Sequence, residues 1–337
     1  MPHLRWNPLL RTYTMVAANR QSRPHLPKDY CPFCPGSGKV PDDYEVYVYA
    51  NDFPALSILP DVADEQIAAA SGNVYHEAAA YGHCEVILYS PNHAASLNEL
   101  PVPHIEKLVS VWKERQEVLS ADHRVKYIFP FENRGEEVGV TMHHPHGQLY
   151  AYPFVPLKIK TELDSCKAYY QQHGIPLFEA MNRFELQDGR RIIAENEHFV
   201  AYLPYFTDYP FGVFIVCKEQ VGSFTGFSVQ MQQGLAQMLK QITGAFDRVF
   251  DRPFPYMMCI HQTPVNSPEY EDCEQWYRFH IEFYPPLREK HKVKWYASSE
   301  MGAWAAANTM AVEETAGILR KALQRFSEQG LSGKVLF

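Results

Sequence analysis

The chain of 337 residues lacks most of the features that assign a class at a glance. Its seven cysteines are odd in number and scattered. That makes no disulfide framework and predicts a reduced, cytoplasmic protein. No apolar run approaches the roughly 18 residues a membrane helix needs, and residues 1–20 are polar and mixed, without a signal-peptide core. There is no P-loop and no GxGxxG after a strand, so the usual nucleotide cradles are missing. Basic residues are outnumbered, 31 Lys and Arg against 39 Asp and Glu. A net charge of −8 argues against a general nucleic-acid binder. It leaves room for a small anion held by a few local cations. With 46% hydrophobic residues the composition is globular, which excludes disorder, collagen and coiled coil. The length suits about two domain-sized units.

What is present repeats itself. Residues 45–50 (EVYVYA) and 84–89 (CEVILY) read as half-buried strands. Ile105, Leu108, Val109, Trp112 and Leu119 recur at helical spacing, which predicts a helix over 103–120. Residues 125–131 and 143–152 then read as strands. The second half follows the same order: strands at 198–204 and 212–218, a helix marked by Leu235, Met238, Leu239, Ile242, Phe246 and Val249, and strands at 256–261 and 277–284. Tyr81 and Tyr209 are 128 residues apart, and His144 and His280 are 136 apart. Two diverged copies of one α+β unit explain this pattern, over 1–175 and 176–337, joined near 158–189. A last helix is predicted over 313–326.

The most informative stretch is His143-His144-Pro145-His146-Gly147-Gln148. On a strand, alternation would put His144, His146 and Gln148 on one face. Pro145 cannot donate to a ladder and suggests an edge or a bulge. Converging imidazoles and an amide are costly to bury without a task; the alternative is a hydrogen-bonded polar loop. Cys31 and Cys34 form a CxxC, open between a zinc knuckle, a redox pair and coincidence. A zinc would need two more distant ligands, with His93 and His144 as candidates. Arg20 and Arg23 bracket Gln21 and Ser22 ahead of Pro24 and read as a solvated turn. Asn51 and Asp52 end a strand, as a turn cap or as readers of a base or ribose.

Taken together, CPFCPG (31–36), YANDFPAL (49–56), YSPNHAASL (89–97), FENRG (131–135), HPHGQ (144–148) and FHIEFYPPLR (279–288) resemble the galactose-1-phosphate uridylyltransferases of the histidine-triad superfamily. The resemblance implies an α+β fold of two fused histidine-triad-like units, an antiparallel half-barrel sheet flanked by helices. It also implies a homodimer with shared sites. The chemistry implied is a ping-pong exchange: UDP-glucose uridylylates the enzyme, and galactose-1-phosphate then takes the uridylyl group.

By that resemblance His146 is the nucleophile and Gln148 holds a phosphoryl oxygen. Asn133 and Thr141 contact the phosphoryl group, Asn51 and Asp52 hold uridine, and Arg20 and Arg23 meet phosphates. Cys31, Cys34, His93 and His144 form a closed structural zinc site. A second ion, iron, zinc or manganese, falls to Glu162, His261, His280 and Glu282, where Glu282 replaces the second His of a family HxH. His280 and Glu282 are expected to align with His144 and His146 of the first copy. Lys294, Trp295 and Glu300 match the family's sugar-phosphate contacts, while Ser299 and Ala306 depart from them and leave the acceptor sugar open. Two other readings stay open: a related nucleotidyltransferase or phosphorylase using ADP-glucose or a dinucleoside polyphosphate, and a non-catalytic zinc-stabilised nucleotide binder.

Overall fold

In the computed structural model, residues 2–22, 30–58 and 74–332 are described. The elements, in chain order, begin with β1 (His3–Asn7), β2 (Thr12–Val16), β3 (Tyr47–Ala50), β4 (Glu77–Ala79), β5 (His83–Leu88), α1 (Val102–Ser120), β6 (Tyr127–Arg134) and β7 (His146–Tyr152). Two helices, α2 (Leu157–His173) and α3 (Leu177–Asp188), occupy the expected join. The second half carries β8 (Ile192–Glu195), β9 (Phe199–Tyr202), β10 (Val213–Cys217), α4 (Val229–Val249), β11 (Tyr256–His261) and β12 (His280–Tyr284). The chain continues through β13 (Leu287–Glu289), β14 (Lys292–Val293), α5 (Ser298–Ala303) and α6 (Val312–Ser332). No described helix is long and apolar enough to cross a membrane.

Nine of these strands form one antiparallel sheet in the order β3-β5-β7-β6-β11-β12-β10-β9-β8. The small sheet β2-β1-β4 has no counterpart in the sequence reading. Alternation divides the large sheet cleanly. Leu149, Ala151, Ile215, Ile281 and Phe283 point to a core shared with α1, α4 and α6. Val200, Tyr202, Phe214 and Val216 point the other way, against Ile159 and Leu163 of α2 and Phe178 of α3. In the first half that second face carries Val86 and Leu88, covered by Phe33, Val40 and Tyr44 of the CxxC loop. His146 and Gln148, and likewise His280 and Glu282, lie in phase with this second face. All the candidate chemistry on β7 and β12 therefore opens on one side of the sheet.

Several predicted boundaries shift. β6 runs on to Arg134, with Pro130 inside it. Its ladder to β11 pairs Phe131 to Arg134 only, so the missing N–H of Pro130 falls just beyond that ladder. β7 begins at His146, not 143, and β12 at His280, not 277. His144 and Pro145 form a bend before the strand, so strand alternation places only His146 and Gln148 on one face.

The halves meet where β6 pairs with β11, and the strand order mirrors about that seam. Register makes the correspondence specific. Gln148 pairs with Val86 and Phe131; Glu282 pairs with Phe214 and Cys259. His146 faces Leu88 as His280 faces Val216. His280 is thus the counterpart of His146 and Glu282 of Gln148, which corrects the expected alignment with His144 and His146. An ion pair locks the seam: Arg134 of β6 donates two bonds, of 2.6 and 2.9 Å, to Asp247 of α4. Asp247 also accepts from the Asn98 amide and the Phe254 N–H.

Glu132 lies beside that seam, buried on the core face of β6, and accepts from the Tyr256 hydroxyl at 3.0 Å. Burial pushes its carboxyl up to about 7, with Tyr256 and Arg134 offsetting only part of the rise. A carboxyl raised on folding contributes stability that is full below its ordinary pKa near 4.5 and is lost as pH climbs to about 7. The loss is about 3 kcal/mol. Glu132→Gln keeps the acceptor for Tyr256 and removes the ionisation. Thermal melts at pH 5 and pH 8 should therefore show the variant gaining on the parent at the higher pH. A gap that does not change with pH would contradict this.

Candidate active site

Gly147 lets the HPHGQ segment approach its neighbour. A Cβ there would sit 2.3 Å from the Tyr89 hydroxyl oxygen. The Tyr89 N–H donates to the Pro145 carbonyl, which fixes the bend ahead of β7. From that bend His144 and His146 diverge into two different tasks.

His146 donates its Nδ1–H to the His144 carbonyl at 2.7 Å. That bond assigns the tautomer and leaves Nε2 as the lone-pair nitrogen. Phe33 packs on the ring, with centroids 5.8 Å apart. His146 and Asn133 both line a cavity of about 780 Å³, within the usual span of roughly 300 to 1,000 Å³ for small-ligand sites. Gln148, one pleat further, is buried, and its Oε1 accepts from Tyr150 at 3.4 Å. Tyr150 in turn accepts from Arg20 at 2.7 Å. With Oε1 engaged, the amide presents its donor side. The Thr141 hydroxyl is buried and meets no partner among the described residues. An unsatisfied buried donor is expensive, and an incoming acceptor would relieve it.

His144 turns its Nδ1 toward the cysteines, 3.6 Å from Sγ of both Cys31 and Cys34. His93 Nδ1 lies 3.4 Å from Cys34 Sγ. Zinc bonds of about 2.3 Å to sulfur and 2.05 Å to nitrogen imply tetrahedral S···N edges of about 3.6 Å. The donor set and its spacing therefore fit zinc. The far side of His144 is held too: Nε2 meets the Ser90 carbonyl at 2.8 Å and the Tyr44 hydroxyl at 3.0 Å. Burial lowers the His144 pKa to about 4, so the ring is neutral, as a metal ligand must be. Burial and the neighbouring Cys31 push the Cys34 thiol up to about 11, a trend that a divalent cation between the sulfurs would reverse.

The second predicted cluster also assembles. Candidate ligand atoms of Glu162, His261, His280 and Glu282 all lie within 4.8 Å of one another. His261 Nδ1 bonds Glu162 at 2.8 Å, and Tyr277 donates to the same carboxylate at 3.0 Å. His280 donates Nδ1–H to the Arg278 carbonyl at 2.9 Å, the same two-residue backward bond that His146 makes. Burial alone would raise the Glu282 carboxyl, but His261, Lys158 and His280 beside it hold it well below the usual carboxylate range. His280 Nε2, fully buried, has no hydrogen-bond partner among the described residues. These four donors fit a harder ion than the thiolate set does.

Most of the remaining candidates make contacts of their own. Asp52 pairs with Lys39 at 2.8 Å and accepts from Tyr49, while Asn51 caps the turn at the Phe53 N–H. Lys294 is buried against the Asp208 carbonyl, and Glu300 accepts from the Ala297 N–H. Trp295 is 70% exposed. Arg23 lies outside the described residues. Sequence reasoning missed Tyr44, Ser90 and Tyr150, whose roles need the folded contacts. It also missed Lys158, whose position four residues before Glu162 on a helix was legible.

Family models of the galactose-1-phosphate uridyl transferase N-terminal and C-terminal domains match residues 1–156 and 162–325. A galactose-1-phosphate uridylyltransferase of Thermotoga maritima is 38% identical over 95% of this chain and 98% of its own length. One of Saccharomyces cerevisiae is 31% identical over 87% of this chain and 86% of its own. A solved uridylyltransferase superposes with a TM-score of 0.86 at 28% identity, covering 96% of this chain and 99% of that one. Two family models spanning nearly the whole length, and relatives matched end to end, leave one conclusion: the chain belongs to the galactose-1-phosphate uridylyltransferase family of transferases.

Proposed function

We propose that the chain moves the uridylyl group of UDP-glucose to galactose-1-phosphate through a covalent intermediate on His146. The observation that carries this reading is the Nδ1–H bond of His146 to the His144 carbonyl, which makes Nε2 the nucleophile. Nε2 attacks the α-phosphorus and the bond to the bridging oxygen breaks. Glucose-1-phosphate leaves as an anion, a weak base that needs no strong general acid. A phosphate oxygen of galactose-1-phosphate then attacks the same phosphorus and the N–P bond breaks. Gln148 donates to a phosphoryl oxygen in both steps, with Asn133 and Thr141 on the others. Each such donor is worth about 3 kcal/mol in comparable sites. An amide at 148 cannot activate water, so the intermediate waits for a sugar phosphate.

UDP-glucose should exchange radiolabel with glucose-1-phosphate in the absence of galactose-1-phosphate, as a ping-pong enzyme must. His146→Asn should lower that exchange at least 10⁴-fold while circular dichroism stays unchanged. An exchange that persists in the variant would contradict the assignment.

We further propose that Cys31, Cys34, His93 and His144 hold a structural zinc, in a cytoplasm where both thiols stay reduced. With four protein ligands it leaves no open position for substrate. Cys31→Ala should reduce zinc content by about one equivalent and lower the melting temperature, read by elemental analysis and calorimetry. Unchanged zinc would contradict the ligand set. Glu162, His261, His280 and Glu282 are proposed as the site of a second, weaker ion.

Finally, we propose a homodimer in which Lys294, Trp295 and Glu300 serve the partner's site. In one chain they do not line the His146 cavity, and Trp295 and Trp304 are broadly exposed. Sedimentation at micromolar concentration should give twice the chain mass of 38.8 kDa. A single-chain mass would refute the shared site.

A further inference from the structure

The second cluster contains a group that no ligand set requires. Lys158, on the first turn of α2, donates from Nζ to Glu282 Oε2. The same ammonium lies 3.7 Å from Glu162 and also bonds the Tyr284 hydroxyl. Glu282 is 3% exposed, and Glu162 is largely buried. Two carboxylates this close and this dry need a countercharge. Lys158 supplies it from the side of the cluster that faces solvent. Its own side chain is 56% exposed, so the ammonium can leave Glu282 and the Tyr284 hydroxyl for solvent without repacking the core.

The rest of the cluster has the opposite character. His280 Nε2 is buried, lies 3.6 Å from Glu282 and 3.9 Å from Glu162, and meets neither within hydrogen-bond reach. His261 Nε2 stands 3.6 Å from Glu282 Oε2, the oxygen that Lys158 occupies. The imidazoles are thus held at the spacing of metal ligands around a shared carboxylate whose charge is already taken.

We propose that Lys158 is an internal cation that competes with a divalent metal ion for Glu282 and Glu162, so that the cluster is either closed by the ammonium or loaded with an ion. Resting on the second-ion reading above, this explains why that site should be weak. The ion must displace the ammonium or share Glu282 with a second positive charge, and either weakens its hold.

The test is a Mn²⁺ titration of the full-length protein loaded with a single equivalent of zinc, followed by electron paramagnetic resonance and by melting temperature. Zinc keeps the thiolate site filled, and Mn²⁺ prefers the harder carboxylate set. The parent should bind one equivalent weakly. Lys158→Met and Lys158→Gln should bind at least tenfold more tightly, and Mn²⁺ should raise their melting temperatures more than the parent's. Lys158→Arg, which keeps the charge, should behave as the parent. Adding Glu282→Ala should abolish the gain. If Lys158→Met and the parent bind Mn²⁺ equally, Lys158 does not compete and the proposal fails while the second-ion reading stands. If neither binds, both fail, and the cluster is a closed polar network.

Discussion

The hydrogen bond from His146 Nδ1 to the His144 carbonyl ties the His146 imidazole to the backbone of a residue that is itself immobilised. His144 is buried, gripped at Nε2 by Ser90 and Tyr44 and aimed at Nδ1 toward Cys31 and Cys34. Any movement of the CxxC loop would therefore be felt two residues away as a rotation of the His146 ring. Gly147 and the bend at Pro145 make that geometry attainable, because Tyr89 packs where a larger residue would put its side chain. A zinc on the four ligands would stiffen this arrangement without touching the chemistry.

The same sheet shows what the duplication did with a second copy. On β12, His280 repeats the backward bond of His146, in the same register against its neighbours. Its partner one pleat on is a carboxylate where the first copy has an amide. That carboxylate is surrounded by two imidazoles and by the ammonium of Lys158, which donates to it. One backbone arrangement thus carries an amide beside its histidine in the first half and a carboxylate in the second.

Much of this was legible in the sequence because it rests on short-range rules. Apolar spacing located α1 and α4, β-rich runs located every strand of the large sheet except β8, and the order of those runs exposed the repeat. HPHGQ and CxxC marked the segments that hold His146 and the Cys/His group, and the eight residues expected as metal ligands lie in two groups of four. What was not legible depends on pairing between distant strands. The alignment of His280 with His144 followed from counting residues, whereas ladder register, which sequence does not carry, matches it to His146. Likewise, alternation along 143–152 assumed an unbroken strand, and Pro145 bends the chain before it begins. The supporting contacts of Tyr44, Ser90 and Tyr150 arise only when segments tens of residues apart are packed together.

The central claim is that His146 Nε2 carries the uridylyl group. The most direct measurement is intact-protein and peptide mass spectrometry, at alkaline pH, after incubation with UDP-glucose alone. Removing the released glucose-1-phosphate enzymatically would hold the equilibrium toward the intermediate. The account predicts a UMP adduct on the peptide containing His146, lost on mild acid and discharged by galactose-1-phosphate. An enzyme that turns over while no adduct forms, or forms one on a peptide lacking His146, would contradict it.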